Sequence, residues 1–253
     1  MNKLRVLSLF AGIGGFDLGL ERTNGFRAAA FCEIDPFCQR VLANHWPKVP
    51  IYDDVRTLSA GRLIADGIAI DCIVGGFPCQ DISIAGLRRG IKEGSRSGLW
   101  SEFSRLISEI RPKFVIVENV SGLLSGPSEQ PGGWFGRVLG DLAEIGYDAE
   151  WDSIQASAMG SLHARDRVWL IAYPNTDSVR LQRRWRQPSG TWTEEQFTRL
   201  VQVALQSAIP TRSGGGIHDG VPNRSHRLKS LGNAVIPQIP ELIGNAILES
   251  MAA

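Results

Sequence analysis

Leu4-Arg5-Val6-Leu7-Ser8-Leu9-Phe10-Ala11-Gly12-Ile13-Gly14-Gly15-Phe16 decides how the chain is read. The apolar run Leu4–Phe10 passes into three glycines, and Phe16–Glu21 then takes helical spacing. A strand ending in a glycine turn that opens a helix is a common ligand site of α/β sheets. Glycine lets the backbone approach a ligand closely, and the helix N-terminus favours negative charge. Glu33 stands 21 positions after Gly12, at the end of a second strand, Ala28–Glu33. A nucleotide-binding sheet places its ribose-binding carboxylate there. The dinucleotide fingerprint asks for a third glycine where this chain has Asp17. NAD is therefore disfavoured, and a ligand with adenosine but no pyrophosphate fits better. Alone, the turn serves equally well to pack a helix on a strand.

Outward from this turn, short apolar runs alternate with helical stretches. Pro36–Asn44 is a helix with proline in its first turn. Asp71–Val74 reads as a strand ending in Gly75-Gly76, and Lys113–Glu118 as a β-branched strand. Leu99–Ile110 is a helix with Leu99, Phe103, Leu106 and Ile110 on one face. Val138–Glu144 is helical, Arg167–Tyr173 is a strand, and Pro237–Ser250 is a closing helix. The alternation predicts an α/β fold, a doubly wound, mostly parallel sheet covered on both faces. It stops at Pro174. From there to about Ser225 the chain is rich in Arg, Gln, Trp, Ser, Thr and Gly, and only Glu194–Gln206 reads as a helix. The expected division is a main domain of 1–173 plus 227–253 and a small module of 174–226.

Composition bounds the function. The chain has 253 residues, 43% hydrophobic and 21% charged, which excludes disordered, collagen-like and coiled-coil classes. A chain of this length buries roughly three quarters of its unfolded surface. No apolar run reaches the ~18 residues of a membrane span. Lys3 and Arg5 before an uncharged stretch faintly suggest a signal peptide, but Gly12, Gly14, Gly15 and Asp17 interrupt it. Cys32, Cys38, Cys72 and Cys79 include no C-x-x-C pair, so neither a metal site nor a disulfide scaffold is expected. Reduced thiols in the cytoplasm follow. Net charge is +1, yet residues 174–226 hold seven arginines against four carboxylates, a local +3 beside −2 for the remainder. That distribution points to a polyanionic partner.

Three further motifs carry chemistry. Gly75-Gly76-Phe77-Pro78-Cys79-Gln80 follows a strand, where a cysteine would sit on a rigid sheet edge and an adjacent cation or helix N-terminus would activate its thiolate. Glu118-Asn119-Val120 ends a strand, where a partly buried carboxyl can titrate beside a base. His163-Ala164-Arg165-Asp166-Arg167 precedes a strand, and its alternate arginines point to one side of an extended chain. Taken singly, each has an ordinary alternative: a buried cysteine, a loop carboxylate, a solvated charge run.

Taken together, in this order and spacing, the four motifs resemble the cytosine-C5 DNA methyltransferases, over about 1–173 and 227–253. The resemblance implies a Rossmann-like sheet of the S-adenosylmethionine-dependent methyltransferase type. It implies S-adenosylmethionine as cofactor, bound by Phe10, Ala11, Gly12, Ile13, Gly14, Glu33, Ile34, Asp54, Pro78, Leu99, Asn233, Ala234 and Val235. It implies Cys79 as the nucleophile at cytosine C6, Glu118 on N3 and the exocyclic amine, Arg165 on O2, and Arg167 in support. The target base would leave the duplex stack. Residues 80–97 read as a loop closing over it, with Gln80, Ser83, Arg88 and Arg89 reaching DNA. Arg183, Arg184 and Arg186, interleaved with Trp185, suit grooves and phosphates in a target-recognition module. His163 stands where many members have glutamine, and that module, at 53 residues, is compact. The implied partner is double-stranded DNA, with a cognate restriction endonuclease if the chain is the modification half of such a system. A cytoplasmic monomer is expected. Two alternatives remain open: a tRNA cytosine-C5 methyltransferase on the same motifs, and an inactive DNA-binding relative.

Overall fold

The computed structural model describes residues 2–78, 98–125, 133–155, 166–176 and 234–252. Its strands are β1 (Leu4–Leu9), β2 (Phe26–Cys32), β3 (Ile51–Tyr52), β4 (Cys72–Gly75), β5 (Phe114–Val120), β6 (Tyr147–Gln155) and β7 (Asp166–Pro174). They form one seven-stranded sheet in the order β3-β2-β1-β4-β5-β7-β6. The pairs from β3 to β5 are parallel. β7 is antiparallel to both β5 and β6. The described helices are α1 (Gly15–Arg22), α2 (Pro36–His45), α3 (Ala60–Ala65), α4 (Leu99–Ile110), α5 (Gly122–Ser125), α6 (Gly133–Ile145) and α7 (Gln238–Ala252).

Local chemistry explains where several elements begin. Asp35 caps α2, its carboxylate accepting the Phe37 N–H at 2.8 Å, and Pro36 supplies a preset φ at the first helical position. Ser59 caps α3 by accepting the Arg62 N–H at 3.2 Å. All four residues of β4 are buried, as a central parallel strand covered on both faces requires.

The two faces carry separate cores. Leu7, Leu9, Ile73, Val115 and Val117 pack under α4 and α6, meeting Phe103, Leu106, Val138 and Leu142. Val6, Cys72, Val74 and Ile116 pack on the other face under Phe16 and Leu20 of α1 and Ile239, Ile243 and Ile247 of α7. The doubly wound expectation holds. The buried face of α4 is rotated from the expected one: Trp100 and Ile107 join Phe103 and Leu106 in the core, while Leu99 and Ile110 are half-buried. The Trp100 indole N–H donates to Asp141 of α6 at 2.8 Å, so α4 packs against a helix as well as the sheet.

Four elements escape the sequence pattern, the four-residue α5 among them. β3 has two residues and α3 six, too short for a periodic signal. β6 is the edge strand, and Asp148, Glu150 and Asp152 interrupt its apolar pattern. Charges on an edge strand deter pairing with another chain, and they also hide the strand from a reader of hydrophobicity. Pro174 still pairs with Tyr147, so the sheet runs one residue past the expected boundary.

Gly19 is where α1 meets the segment leading into α7. A Cβ there would run into the Pro237 carbonyl and lie 2.9 Å from Pro240 Cβ. Alanine gains about 1 kcal/mol of helix propensity, but overpacking against backbone costs ~1–3 kcal/mol. Gly19→Ala is expected to lower stability by up to about 2 kcal/mol, read as a lower urea midpoint with unchanged m-value. An unchanged midpoint would show that α7 can shift freely.

Candidate active site

The carboxyl ends of the parallel strands form one edge, and the site is built along it. At the end of β1 the chain bends through left-handed backbone at Phe10 (φ 52°), Gly12 (φ 56°) and Gly14 (φ 85°), the last serving as N-cap of α1. Two backbone donors meet Glu33, just beyond β2. The Gly12 N–H donates to Oε2 at 2.7 Å and the Asp35 N–H donates to Oε1 at 2.8 Å. Glu33 is thus almost buried and fixed to the glycine turn, while each oxygen keeps lone-pair capacity for another donor. A Cβ at Gly12 would meet nothing within 4 Å, so the space over the turn is open. Ile34 beside it is 65% exposed, an apolar face offered to the same space. Asp54 is engaged by Arg56, whose Nε and Nη2 donate to Oδ1 and Oδ2 at 2.9 and 2.7 Å. This pairing holds the Asp54 carboxyl below the usual carboxylate range.

A second group of side chains lies two strands further along the edge. Arg167 Nε is 2.9 Å from Glu118 Oε1. Their side chains are only 21% and 12% exposed. A Cβ at Gly76 would lie 2.9 Å from Glu118 Oε2, so glycine is what lets this carboxylate rest against the segment after β4. Asn119, on the opposite face of β5 from Glu118, donates from Nδ2 to the Phe77 carbonyl at 3.2 Å. The Phe77 ring packs on Trp100 at 5.2 Å. The backbone entering Pro78, the last described residue before Cys79, is therefore held from two sides. The role of Asn119 was not read from the sequence, although its place beside Glu118 put it on the other face of the strand.

The glycine turn also meets the chain's closing segment, because a Cβ at Gly15 would strike the Val235 carbonyl. Ala234 and Val235 are half-buried there. Leu99 opens α4, whose Phe103 stacks on Phe10 with ring centroids 6.5 Å apart. The sequence-assigned residues Phe10, Ala11, Gly12, Ile13, Gly14, Glu33, Ile34, Asp54, Pro78, Leu99, Glu118, Arg167, Ala234 and Val235 are thus described. Cys79, Gln80, Ser83, Arg88, Arg89, Arg165, Arg183, Arg184, Arg186 and Asn233 lie outside the described residues, as does the expected helix 194–206. Cys32, Cys38 and Cys72 are buried and form no disulfide. Burial pushes the Cys32 thiol up to about 12 and raises that of Cys72 further, so neither supplies a thiolate. Among the described residues, no group of His, Cys, Asp and Glu could hold a metal ion, and no helix is long and apolar enough to cross a membrane.

Strand order, reversed β7 and a site along the carboxyl edge together define a Rossmann-like methyltransferase fold. The model of the family described as C-5 cytosine-specific DNA methylase matches residues 4–213, and the chain belongs to that family. Type II methyltransferase M2.BsuMI of Bacillus subtilis is 36% identical over 173 residues, 67% of this chain and 42% of that protein. Type II methyltransferase M.Sau3AI of Staphylococcus aureus is 35% identical over 191 residues, 68% of this chain and 44% of that protein. The chain thus spans less than half the length of these relatives. Among solved structures, an E. coli prophage protein described as a DNA modification methyltransferase superposes with a TM-score of 0.62 at 28% identity, covering 74% of this chain and 51% of that one. The S. pombe Dnmt2 methyltransferase shares the fold at a TM-score of 0.58 and 20% identity, over 76% of this chain and 56% of that one.

Asp17, in the place of the fingerprint's third glycine, is 1% exposed in the first turn of α1. Burial pushes its carboxyl up to about 7, with the nearby Ser8 hydroxyl opposing the shift. The folded protein therefore keeps a proton that the unfolded chain releases. The associated stability is full below about pH 4 and is lost as pH rises to about 7. Relative to Asp17→Asn, the wild type should lose up to roughly 4 kcal/mol of unfolding free energy between pH 4 and 7.5. Urea titrations of both proteins across that range check the sign; parallel curves would show that Asp17 stays ionised.

Proposed function

We propose that the chain is a DNA cytosine-5 methyltransferase that uses S-adenosylmethionine to methylate C5 of a cytosine flipped out of duplex DNA. The observation that carries this reading is the Glu118–Arg167 pair set against Gly76, beside the backbone that leads through Pro78 into Cys79. It stands on the same sheet edge as the glycine turn and Glu33. The open space over Gly12, the remaining lone pairs of Glu33 and the bare face of Ile34 suit an adenosine whose ribose hydroxyls reach Glu33 and whose base lies on Ile34. Bound there, S-adenosylmethionine supplies an electrophilic methyl group.

The chain's own residues supply the rest. Cytosine C5 is a poor nucleophile until a thiolate adds at C6. Cys79 forms that C6–S bond, and the displaced π electrons make C5 nucleophilic. Glu118 accepts from the exocyclic amine and delivers a proton to N3, neutralising the negative charge that develops in the ring as the adduct forms. Arg167 fixes the Glu118 carboxylate in place through its 2.9 Å pair, and Arg165 takes the base's O2. Methyl transfer to C5 leaves the cofactor as the neutral thioether S-adenosylhomocysteine; a water then takes the C5 proton, the freed electron pair re-forms the C5–C6 double bond, and the C6–S bond breaks to expel the Cys79 thiolate. Residues 80–97 close over the base, and residues 174–226 form the target-recognition module, their arginines serving phosphates and base edges. A restriction endonuclease reading the same site is a fitting companion.

The reading is tested with duplex DNA of diverse sequence carrying 5-fluorocytosine, mixed with the protein and S-adenosylmethionine. A covalent adduct is expected on a denaturing gel and by intact mass, and it should vanish in Cys79→Ala. Cys79→Ser should abolish turnover while leaving cofactor binding near normal. Trapping on fluorinated tRNA but not DNA would overturn the DNA substrate; trapping that survives in Cys79→Ala would overturn the nucleophile. Deletions within 174–226 should remove sequence selectivity before cofactor binding, and the reverse order would refute the division into a recognition module and a cofactor domain.

A further inference from the structure

We propose that Arg105 is a positioning residue for the adenine end of the cofactor site, acting through the loop that joins β3 to α3. The inference rests on the S-adenosylmethionine reading above. Arg105 lies on α4 with its side chain 33% exposed. Its Nη2 donates to two loop carbonyls, Val55 at 3.1 Å and Leu58 at 2.9 Å. Its Nε donates to Glu102 Oε2 at 2.9 Å and its Nη1 to Glu109 Oε1 at 2.6 Å. Glu109 completes the tie, its Oε2 accepting the Ala60 N–H at 2.9 Å.

One helix thus donates two hydrogen bonds to the carbonyls of the loop's apolar anchors, Val55 and Leu58, which are 4% and 1% exposed, and accepts a third from Ala60, where the loop enters α3. Burial of these two side chains holds the loop to the core but leaves its carbonyls needing donors. A guanidinium can reach both carbonyls and both carboxylates at once, because its five N–H groups form a rigid planar fork; an ammonium cannot. The carbonyl of Val55 is the first beyond Asp54, the residue that the family resemblance sets against the adenine amino group, so Arg105 sets where that carboxylate stands relative to Glu33 and Ile34. The same α4 presses Phe103 on Phe10, so one rigid element references both walls of the adenosine site. Because the adenine end takes no part in the chemistry, misplacing it weakens ground state and transition state alike and appears in KM rather than kcat.

The experiment measures cofactor binding by calorimetry and steady-state kinetics in wild type, Arg105→Ala, Arg105→Lys and Leu142→Ala. The last of these removes a buried side chain of α6 from the same core, on an element other than α4 and the loop. Arg105→Ala should raise Kd for S-adenosylmethionine and for adenosine alone about tenfold or more. Its kcat at saturating cofactor should stay within about twofold of wild type. Arg105→Lys should fall between the two. If Arg105→Ala does not fold, the lysine variant carries the same comparison. An unchanged Kd in the Arg105 variants overturns the inference. So does an equal rise in Leu142→Ala at matched loss of thermal midpoint, since that would make the effect one of stability. Failure of the wild type to bind S-adenosylmethionine would instead refute the cofactor reading itself.

Discussion

The antiparallel pairing of β7 with β5 is the constraint on which the site depends. From β3 to β5 the sheet is parallel, so every strand delivers its carboxyl end to one edge. A further parallel strand would bring its amino end to the opposite edge. The reversal brings the start of β7 to the same edge and sets Arg167 opposite Val120 and Trp169 opposite Glu118. A guanidinium from a strand's beginning and a carboxylate from a strand's end then meet at 2.9 Å. With both side chains largely removed from water, losing one partner strands the other's charge and costs on the order of 3 kcal/mol, against less than ~1 kcal/mol for an exposed pair. Topology and site geometry are therefore the same fact seen at two scales.

Around that edge, α4 links parts that belong to different strands. Phe103 touches Phe10, Trp100 touches Phe77, and Arg105 reaches the carbonyls of Val55 and Leu58. One helix thus references the glycine turn, the segment before Cys79 and the loop carrying Asp54. On the other face α1 and α7 close the second core, where Gly15 and Gly19 allow the backbone near Val235 and Pro237 to come close. The segment that enters α7 meets the glycine turn for that steric reason.

Much of this was legible in advance. The strands and helices with strong apolar patterns, Leu4–Leu9, Leu99–Ile110 and Phe114–Val120 among them, stand where periodicity puts them. The link between the glycine turn and Glu33 was legible too, and the structure supplies its bond, from the Gly12 N–H. What escaped was either short or charged: β3, α3, α5 and the acidic edge strand β6. Two polar residues whose partners lie far off in sequence also escaped. Asn119 bonds to Phe77 and Arg105 to Val55 and Leu58, and nothing in the local pattern names those partners. Asp54 differs again, because its Arg56 partner sits two positions away and could have been read from the spacing.

The sequence by itself determined what is local: which stretches are buried on both faces, where the chain must bend through left-handed backbone, and which carboxylates, cysteine and arginines stand at element ends. Glycine, proline, apolar spacing and capping side chains act within a few residues of themselves, so they can be read without a fold. Only the tertiary structure decided what meets what: that β7 runs backward, that Glu118 pairs with Arg167, and that Arg105 holds a loop some fifty residues earlier. Those pairings are settled by packing two faces of one sheet at once. That choice belongs to the whole chain's buried surface rather than to any segment of it.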